Sequence, residues 1–304
     1  MDGPSLLRWA QERGYRAAWG SMRALGEAQA DIRRRHERSE LDGDLYRAVV
    51  RPFAEEAVPR GGNLVLVAVP RPAHRVRFEL DDGRFDVLLP PSYVDFYRTP
   101  ETVRADLATS VLAGCHVERL KAPLKAVATR LGLVRYGRNN ITYAEGMGSY
   151  LELCGYVTDA GGAPAPSPES AEPSLLELCA DCERCVAACP TRAIGTERVL
   201  VRAHRCLTFA NEGPGEWPDW VPRGAHHCLL GCLACQRSCP ANPPLEVVDS
   251  SVCFSREETR ALLTGPNDAA SPVRHGVRSK LEQLDLTSSE SLLGRNLRAL
   301  IDKR

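Results

Sequence analysis

Two proline-terminated cysteine motifs constrain this chain more than any other feature. The first motif, C-x2-C-x2-C-x3-C-P, contains Cys179, Cys182, Cys185 and Cys189. The second contains Cys232, Cys235 and Cys239 before a proline, with Cys206 or Cys228 upstream. A C-x2-C-x2-C loop can wrap three corners of a [4Fe–4S] cube, and the cysteine before the proline then binds the other cluster. The sequence therefore predicts two [4Fe–4S] clusters.

Structural zinc and disulfide bonds are the two alternatives to iron–sulfur clusters for these cysteines. Zinc sites usually pair two C-x2–4-C units around one ion, a pattern that evenly spaced cysteines followed by C-P fit poorly. Disulfides form in oxidising compartments. Met1-Asp2-Gly3-Pro4 lacks the basic start of a signal peptide, and no apolar region follows it. We therefore expect clusters in a cytoplasmic protein.

Length and charge narrow the class of protein further. The chain has 304 residues, which is enough for about two domains. Its 39 basic and 39 acidic residues balance, which argues against a general coat for nucleic acid. No apolar run approaches the roughly 18 residues of a transmembrane helix, so we expect no membrane partner.

Local patterns predict an α+β fold that begins with a mixed α/β domain over residues 1–165. A buried strand is expected at Asn63–Pro70, and alternating residues on both sides of Asp81-Asp82-Gly83 indicate a β-hairpin. Another strand is expected at Leu151–Thr158. Apolar spacing predicts helices over 5–34, Thr102–Ala113 and Leu120–Leu131.

Composition separates this first domain from the rest of the chain. Ala160–Pro173 is rich in Gly, Ala, Pro and Ser and is typical of a linker. We expect a two-cluster domain like that of bacterial ferredoxins over residues 174–248. Residues 249–304 are expected to form a short helical tail, with helices at Arg256–Leu263 and Leu281–Leu300.

The motif spacing assigns most of the cluster ligands. The ferredoxin crossover gives one cluster Cys179, Cys182, Cys185 and Cys239. It gives the other cluster Cys189, Cys232 and Cys235. Local spacing favours Cys228 as the fourth ligand of the second cluster, whereas Cys206 closes a longer loop. The spacing alone does not decide between Cys206 and Cys228.

The chain resembles epoxyqueuosine reductase and, more distantly, the reductive dehalogenases. In the first domain the matching residues are Gly132-Leu133, Gly137-Arg138-Asn139-Asn140, Gly148-Ser149 and Val157-Thr158-Asp159. In the cluster region they are Ala188-Cys189-Pro190-Thr191, Arg205-Cys206-Leu207, Gly231–Gln236 and Cys239-Pro240. The Arg-Cys match favours Cys206 over Cys228 as ligand.

The resemblance also implies a cofactor and a reaction. Members of that family bind a corrinoid (cobalamin) in the α/β domain and pass electrons to it through two [4Fe–4S] clusters. The resemblance therefore implies an oxidoreductase with an external low-potential electron donor, such as a flavodoxin, a ferredoxin or a reductase. It places the corrinoid beside a loop formed by Tyr136, Gly137, Arg138, Asn139 and Asn140. The substrate is expected to be a small molecule or a nucleoside.

Two departures from the family pattern bear on the reaction. The family's proton-donating Asp aligns with Glu118, and the proline that follows it is displaced to Pro123. Only about sixty residues follow the second motif, and they are not conspicuously basic, which argues against tRNA as the substrate. A non-enzymatic electron carrier without corrinoid and a zinc-stabilised interaction protein are the rival interpretations.

Overall fold

A computed structural model describes residues 3–54, 62–161, 175–196, 201–265 and 270–303 of the chain. Its strands are β1 (Arg16–Ser21), β2 (Asn63–Pro70), β3 (Ala73–Leu80), β4 (Gly83–Leu89), β5 (Val117–Arg119), β6 (Arg135–Tyr136), β7 (Thr142–Tyr143), β8 (Leu151–Thr158) and β9 (Val247–Phe254). Its helices are α1 (Gly3–Glu12), α2 (Met22–Glu37), α3 (Gly43–Leu45), α4 (Arg51–Ala54), α5 (Arg98–Thr109), α6 (Leu124–Arg130), α7 (Arg184–Ala188), α8 (Leu207–Glu212), α9 (Ala234–Arg237), α10 (Arg256–Thr264), α11 (Ser271–Leu284) and α12 (Glu290–Ile301). None of the helices in this part of the chain combines the length and apolarity that a membrane crossing requires.

A four-stranded antiparallel sheet, here called the main sheet, organises the first part of the chain. Its strand order is β1-β2-β8-β5. Along β2, Val65, Val67 and Val69 face helices α1 and α5, while Leu64 and Leu66 face α2 and α6. Because both faces are covered, β2 is apolar on both sides, which explains its continuous hydrophobic run.

The hairpin of β3 and β4 belongs to a second sheet that the C-terminal region completes. Strand β9 pairs in parallel with β3, and the order is β4-β3-β9. Helices α10, α11 and α12 cover one face of this sheet, where Phe78 and Phe254 stack with ring centroids 4.9 Å apart. The expectation of a purely helical tail was therefore wrong, because the tail contributes a strand to the hairpin sheet.

The C-terminal helices also differ from their expected bounds. The helix expected at Leu281–Leu300 is two helices, α11 and α12. They are separated at Asp285, whose left-handed backbone (φ 62°) ends α11. Helix α10 begins at the expected place because Ser255 and Glu258 form a capping box.

The predictions for the first domain held best for the buried strands and the hairpin. Strands β2 and β8 and the β3–β4 hairpin lie where they were expected. The helix expected over 5–34 is interrupted by β1, whose sequence RAAWGS contains no β-branched residue to signal a strand. Helix α5 begins and ends about four residues before the expected helix. Most of the expected linker lies outside the described residues, and the domain boundaries remain predictions.

The described residues of the segment 175–245, here called the cysteine segment, are anchored to β6 and to the hairpin. Strand β6 pairs with β7 in a two-stranded sheet. At one end Leu176 donates its amide to the carbonyl of Tyr136 in β6 at 2.8 Å. Further along, the amide of Leu229 donates to the carbonyl of Leu88 in the hairpin at 2.9 Å.

Candidate metal centre

Short turns and helices carry the cysteines of the first motif. The chain makes one 3-10 turn over Glu177–Cys179 and one helical turn over α7. Cys179 and Cys185 are buried, whereas Cys182 and Cys189 are half-buried. The amide of Ala193 donates to the sulfur of Cys189 at 3.2 Å. Hydrogen bonds to cluster sulfurs are among the factors that set cluster potentials.

The first three cysteines of motif one meet the last cysteine of motif two. Burial raises the pKa of the Cys185 thiol, and three neighbouring sulfurs raise it further. Those sulfurs belong to Cys179, Cys239 and Cys182. All four cysteines also line one small pocket. The structure therefore brings together the four side chains that the ferredoxin crossover assigns to one cluster.

A second group of cysteines forms around Cys232. Burial raises the pKa of the Cys232 thiol to about 12, and the nearby sulfurs of Cys206 and Cys189 act in the same direction. Burial also raises the pKa of Cys235, whose sulfur neighbours include Cys232, Cys206 and Cys189. Cys185 is another neighbour of Cys235. The two groups of four thiols therefore adjoin each other.

Cys228 has different surroundings from Cys206. It is buried in a small apolar cluster with Tyr150 and Leu233. Burial raises its pKa to about 12, and its nearby sulfur is that of Cys232. Cys206, in contrast, lies near both Cys189 and Cys232. The structure thus distinguishes Cys206 from Cys228, the two candidates for the fourth ligand that motif spacing did not separate.

Asn242 fastens the second cysteine motif to the end of the main sheet. Its Oδ1 accepts the amide of Ser149 at 2.6 Å, and its Nδ2 donates to Ser149 Oγ at 2.9 Å and to the Gln236 carbonyl at 2.7 Å. Gly148 allows this approach, because a Cβ there would lie 2.3 Å from Asn242 Oδ1 and its φ is 63°. The Gly-Ser pair therefore has a structural role at the border of the metal centre.

The loop of residues 136–140, which was expected to contact a corrinoid, lies beside the first cysteine group. Arg138 Nη2 donates to the carbonyl of Cys179 at 2.5 Å. Asn139 is buried and its Nδ2 donates to the Tyr143 hydroxyl at 2.8 Å. The Asn140 carbonyl accepts from Lys125 Nζ at 3.2 Å. Burial raises the pKa of Tyr136 to about 12, which keeps its hydroxyl protonated.

A groove that the sequence did not reveal lies beside this loop. One part is a cavity of about 480 Å³ lined by residues including Leu133, Arg135, Tyr143, Glu145, Leu176 and Ala241. It shares Gly132, Leu133 and Glu145 with a cavity of about 380 Å³ along the edge strand β1. Tyr143 also lines the small pocket of the first cysteine group. The groove and the first group therefore meet at this side chain.

Two carboxyl groups near the main sheet differ sharply in exposure. The Glu118 side chain is 73% exposed and lies 3.4 Å from His116. Glu152 on β8 is only 5% exposed, and burial raises its pKa to about 8. Its Oε2 lies 3.8 Å from Arg71 Nε. The burial expected of a general acid is found at Glu152, a residue that sequence reasoning did not select.

Comparison with known proteins agrees with the cysteine geometry. Residues 178–242 match the family model of a 4Fe-4S double cluster binding domain. The chain therefore combines a segment that matches a double-cluster iron–sulfur domain with a mixed α/β fold.

Within that class the chain is similar to the epoxyqueuosine reductases, which are oxidoreductases. It is 37% identical to that of Synechococcus sp. (strain RCC307) over 123 residues, 40% of this chain and 35% of the relative. The structure of epoxyqueuosine reductase from Streptococcus thermophilus superposes with a TM-score of 0.68 at 17% identity, covering 100% of this chain and 82% of that one. The predicted resemblance is thus confirmed, although the aligned segments span about a third of the length of the first curated relatives.

One structural neighbour carries a nucleic acid. It is epoxyqueuosine reductase with an epoxyqueuosine-modified tRNA stem loop, with a TM-score of 0.57 at 18% identity, covering 98% of this chain and 88% of that one. At this level of identity the likeness concerns the fold.

Proposed function

We propose that this protein is an oxidoreductase that carries electrons through two [4Fe–4S] clusters to an acceptor bound in the groove. The observation that carries the proposal is the pair of adjoining four-thiol groups, of which the first meets the groove at Tyr143. Two adjoining clusters are suited to passing single electrons. Electrons from an external low-potential donor, such as a flavodoxin, a ferredoxin or a reductase, can then reach the groove.

The proposed ligands follow the two groups. The first cluster takes Cys179, Cys182, Cys185 and Cys239. The second takes Cys189, Cys206, Cys232 and Cys235. The mutual proximity of Cys206, Cys189 and Cys232 supports Cys206 as the fourth ligand, whereas Cys228 has an apolar environment.

The groove beside residues 136–140 is our proposed site for a corrinoid. Its two cavities together have the size of a cofactor pocket, and Gly132 and Leu133 line both of them. Arg16 lines one cavity and Arg135 lines the other, and both can supply polar contacts. A bound corrinoid supplies the cobalt-centred reduction, and the protein supplies position and electrons. Arg138 and Asn139 support the cluster side of the groove.

Blocking the groove tests this proposal. Glu145 is exposed and lines both cavities, so Glu145→Trp should fill the groove without disturbing the core. We expect the anaerobic wild-type protein to shift the absorption bands of added cobalamin and the variant to lose that shift. Glu101→Trp, an exposed substitution on α5, is the matched control. The absence of a shift with the wild-type protein would favour an electron carrier without corrinoid, whereas equal shifts with all three proteins would mean that the corrinoid binds outside the groove.

The electron carrier is retained as the second candidate because of Glu118. A general acid works best when its pKa lies near the operating pH, which for a carboxyl group requires burial. The exposed position of Glu118 favours a protein that transfers electrons only, unless a bound substrate covers it. In an assay with an identified substrate, Glu118→Gln should lower turnover by about 10²–10⁴-fold if the Glu118 carboxyl is the general acid. Unchanged turnover would remove it from the mechanism.

The substrate class is proposed from the comparisons. A nucleoside-type substrate, free or within tRNA, is the class named by the relatives. We propose the same class here and a cytoplasmic location for the protein. Gel-shift titration with a tRNA anticodon stem loop tests the nucleic-acid form, and a free nucleoside in the same assay serves as competitor.

A further inference from the structure

Tyr143 lies at the border between the first cysteine group and the groove. It is 4% exposed. On one side it lines the small pocket together with Cys179, Cys185 and Cys239. On the other side it lines the 480 Å³ cavity. A side chain in this position can influence the cluster from which electrons leave for the groove.

Two hydrogen bonds of Asn139 make the Tyr143 oxygen an acceptor. Asn139 Oδ1 accepts the amide of Ile141 at 3.2 Å, which fixes the orientation of the Asn139 amide group. Asn139 Nδ2 then donates to the Tyr143 oxygen at 2.8 Å. The tyrosine oxygen is an acceptor in this bond, so its own hydrogen remains to be donated elsewhere.

Cys239 shares the small pocket of the first cysteine group with both Tyr143 and Asn139. Its sulfur is therefore the candidate acceptor for the hydrogen of the Tyr143 hydroxyl. Gly137 makes room for the arrangement, because a Cβ there would lie 2.7 Å from the Tyr143 ring and 2.8 Å from Asn139 Oδ1.

We propose that Tyr143, held by Asn139, donates a hydrogen bond to the sulfur of Cys239 and raises the reduction potential of the first cluster. The inference rests on the proposed function, because it takes Cys239 as a cluster ligand. Reduction adds one electron to the cluster and moves no proton. A donor to a ligand sulfur stabilises the added negative charge, and hydrogen bonds to the sulfurs are among the factors that set cluster potentials.

This hydrogen bond gives the electron flow a direction. Cys239 of the first group shares the small pocket with Tyr143, whereas Cys235 of the second group lies near Tyr143 but does not line that pocket. A raised potential at the first cluster draws the electron toward the cluster that adjoins the groove. Tyr143 thus acts as a positioning residue for the electron rather than as a proton donor.

Redox titration of the full chain, reconstituted anaerobically and followed by electron paramagnetic resonance, tests the inference. In Tyr143→Phe we expect the potential of one cluster to fall and that of the other to change less. A tenfold change in the reduction equilibrium corresponds to about 59 mV for one electron, and we expect a fall of that order. Asn139→Ala should lower the same potential by less, because the hydroxyl remains but is no longer held.

Tyr156→Phe is the matched control, since it removes a buried tyrosine hydroxyl that donates to the Pro100 carbonyl at 2.7 Å. Its two potentials should equal those of the wild type. Tyr143→Phe with full iron content and two unchanged potentials overturns the inference and leaves the proposed function intact. A wild-type protein without two clusters overturns the proposed function itself. If the Tyr143→Phe variant loses iron, the potentials of Asn139→Ala are the deciding measurement. Potentials in Asn139→Ala that equal those of the wild type would then overturn the inference.

Discussion

The main sheet and the cysteine segment are ordered by different forces. In β2 the residues from Leu64 to Ala68 have no exposed surface, and helices cover both faces. The cysteine segment has helical pieces of three to six residues and small apolar clusters. Burial of apolar surface at about 25 cal/mol per Å² can stabilise the sheet without a cofactor. The cysteine loops depend on bonds from sulfur to metal, which couple metal binding to folding.

The border between the two regions combines hydrogen bonds with a small apolar cluster. Asn242, Ser149 and Gln236 join the second motif to the end of the main sheet by hydrogen bonds. Beside them, Tyr150 packs against Cys228 and Leu233. Because this border is small, we expect that each region can be disturbed separately. The following substitutions and treatments exploit that difference.

Removal of iron should have the largest effect, and only on one region. After anaerobic chelation we expect amides of the cysteine loops 177–190 and 232–240 to lose hydrogen-exchange protection by about 100-fold, equivalent to about 2.7 kcal/mol of opening free energy. Amides of β2 and β8 should keep their protection, since apolar packing holds them. Hydrogen exchange with mass spectrometry measures both. Equal loss in the sheet would mean that the two regions fold as one unit.

Replacement of single cysteines should separate ligands from packing residues. Cys206→Ser should remove or convert one cluster, because Cys206 lies with Cys189 and Cys232. Cys228→Ser should retain both clusters and lower the melting temperature, since it places a hydroxyl in an apolar cluster. Iron analysis and electron paramagnetic resonance distinguish the two results. The reverse pattern would identify Cys228 as the ligand.

Weakening the border should have an intermediate effect. Asn242→Ala removes three hydrogen bonds at 2.6, 2.9 and 2.7 Å. At a net value of about 1 kcal/mol each, the free energy of unfolding should fall by about 2–3 kcal/mol. Asn63→Ala is the matched control, because Asn63 Nδ2 donates once, to the Ala160 carbonyl at 3.0 Å. Thermal unfolding under anaerobic conditions compares them, and equal losses would contradict the role given to Asn242.

Per unit of pH, the smallest effect on the free energy of unfolding is expected for a buried proton in the main sheet. Burial raises the pKa of Glu152 from 4.5 to about 8, so the folded state binds this proton more tightly than the unfolded state. The resulting stability is fully present below pH 4.5 and is lost as the pH rises through about 8. Between those values the wild type should lose about 1.4 kcal/mol per pH unit relative to Glu152→Gln. Unfolding midpoints across pH 4–9, about the range in which this carboxyl titrates, measure the difference. Parallel curves for the two proteins would show that Glu152 titrates normally.

Sequence reasoning succeeded where the pattern is local. The buried run of β2 and the D-G turn of the hairpin are each defined within about ten residues. It failed for β9, because Val247–Phe254 is a strand only through pairing with the distant β3. It also failed for the groove, because Glu145 and Gly132 meet along β1, a segment whose composition indicated a helix. No local pattern indicated a role for Tyr143, because Cys239, which shares its pocket, lies far along the chain in the second cysteine motif.

The number of iron and sulfide ions per chain tests the central claim most directly. Anaerobically reconstituted protein should contain about eight iron and eight acid-labile sulfide ions, as two four-iron clusters require. The paired Cys206→Ser variant should contain less iron, while the Cys228→Ser variant should equal the wild type. About four iron ions per wild-type chain would contradict the claim of two clusters. Zinc without acid-labile sulfide would instead indicate a structural zinc site.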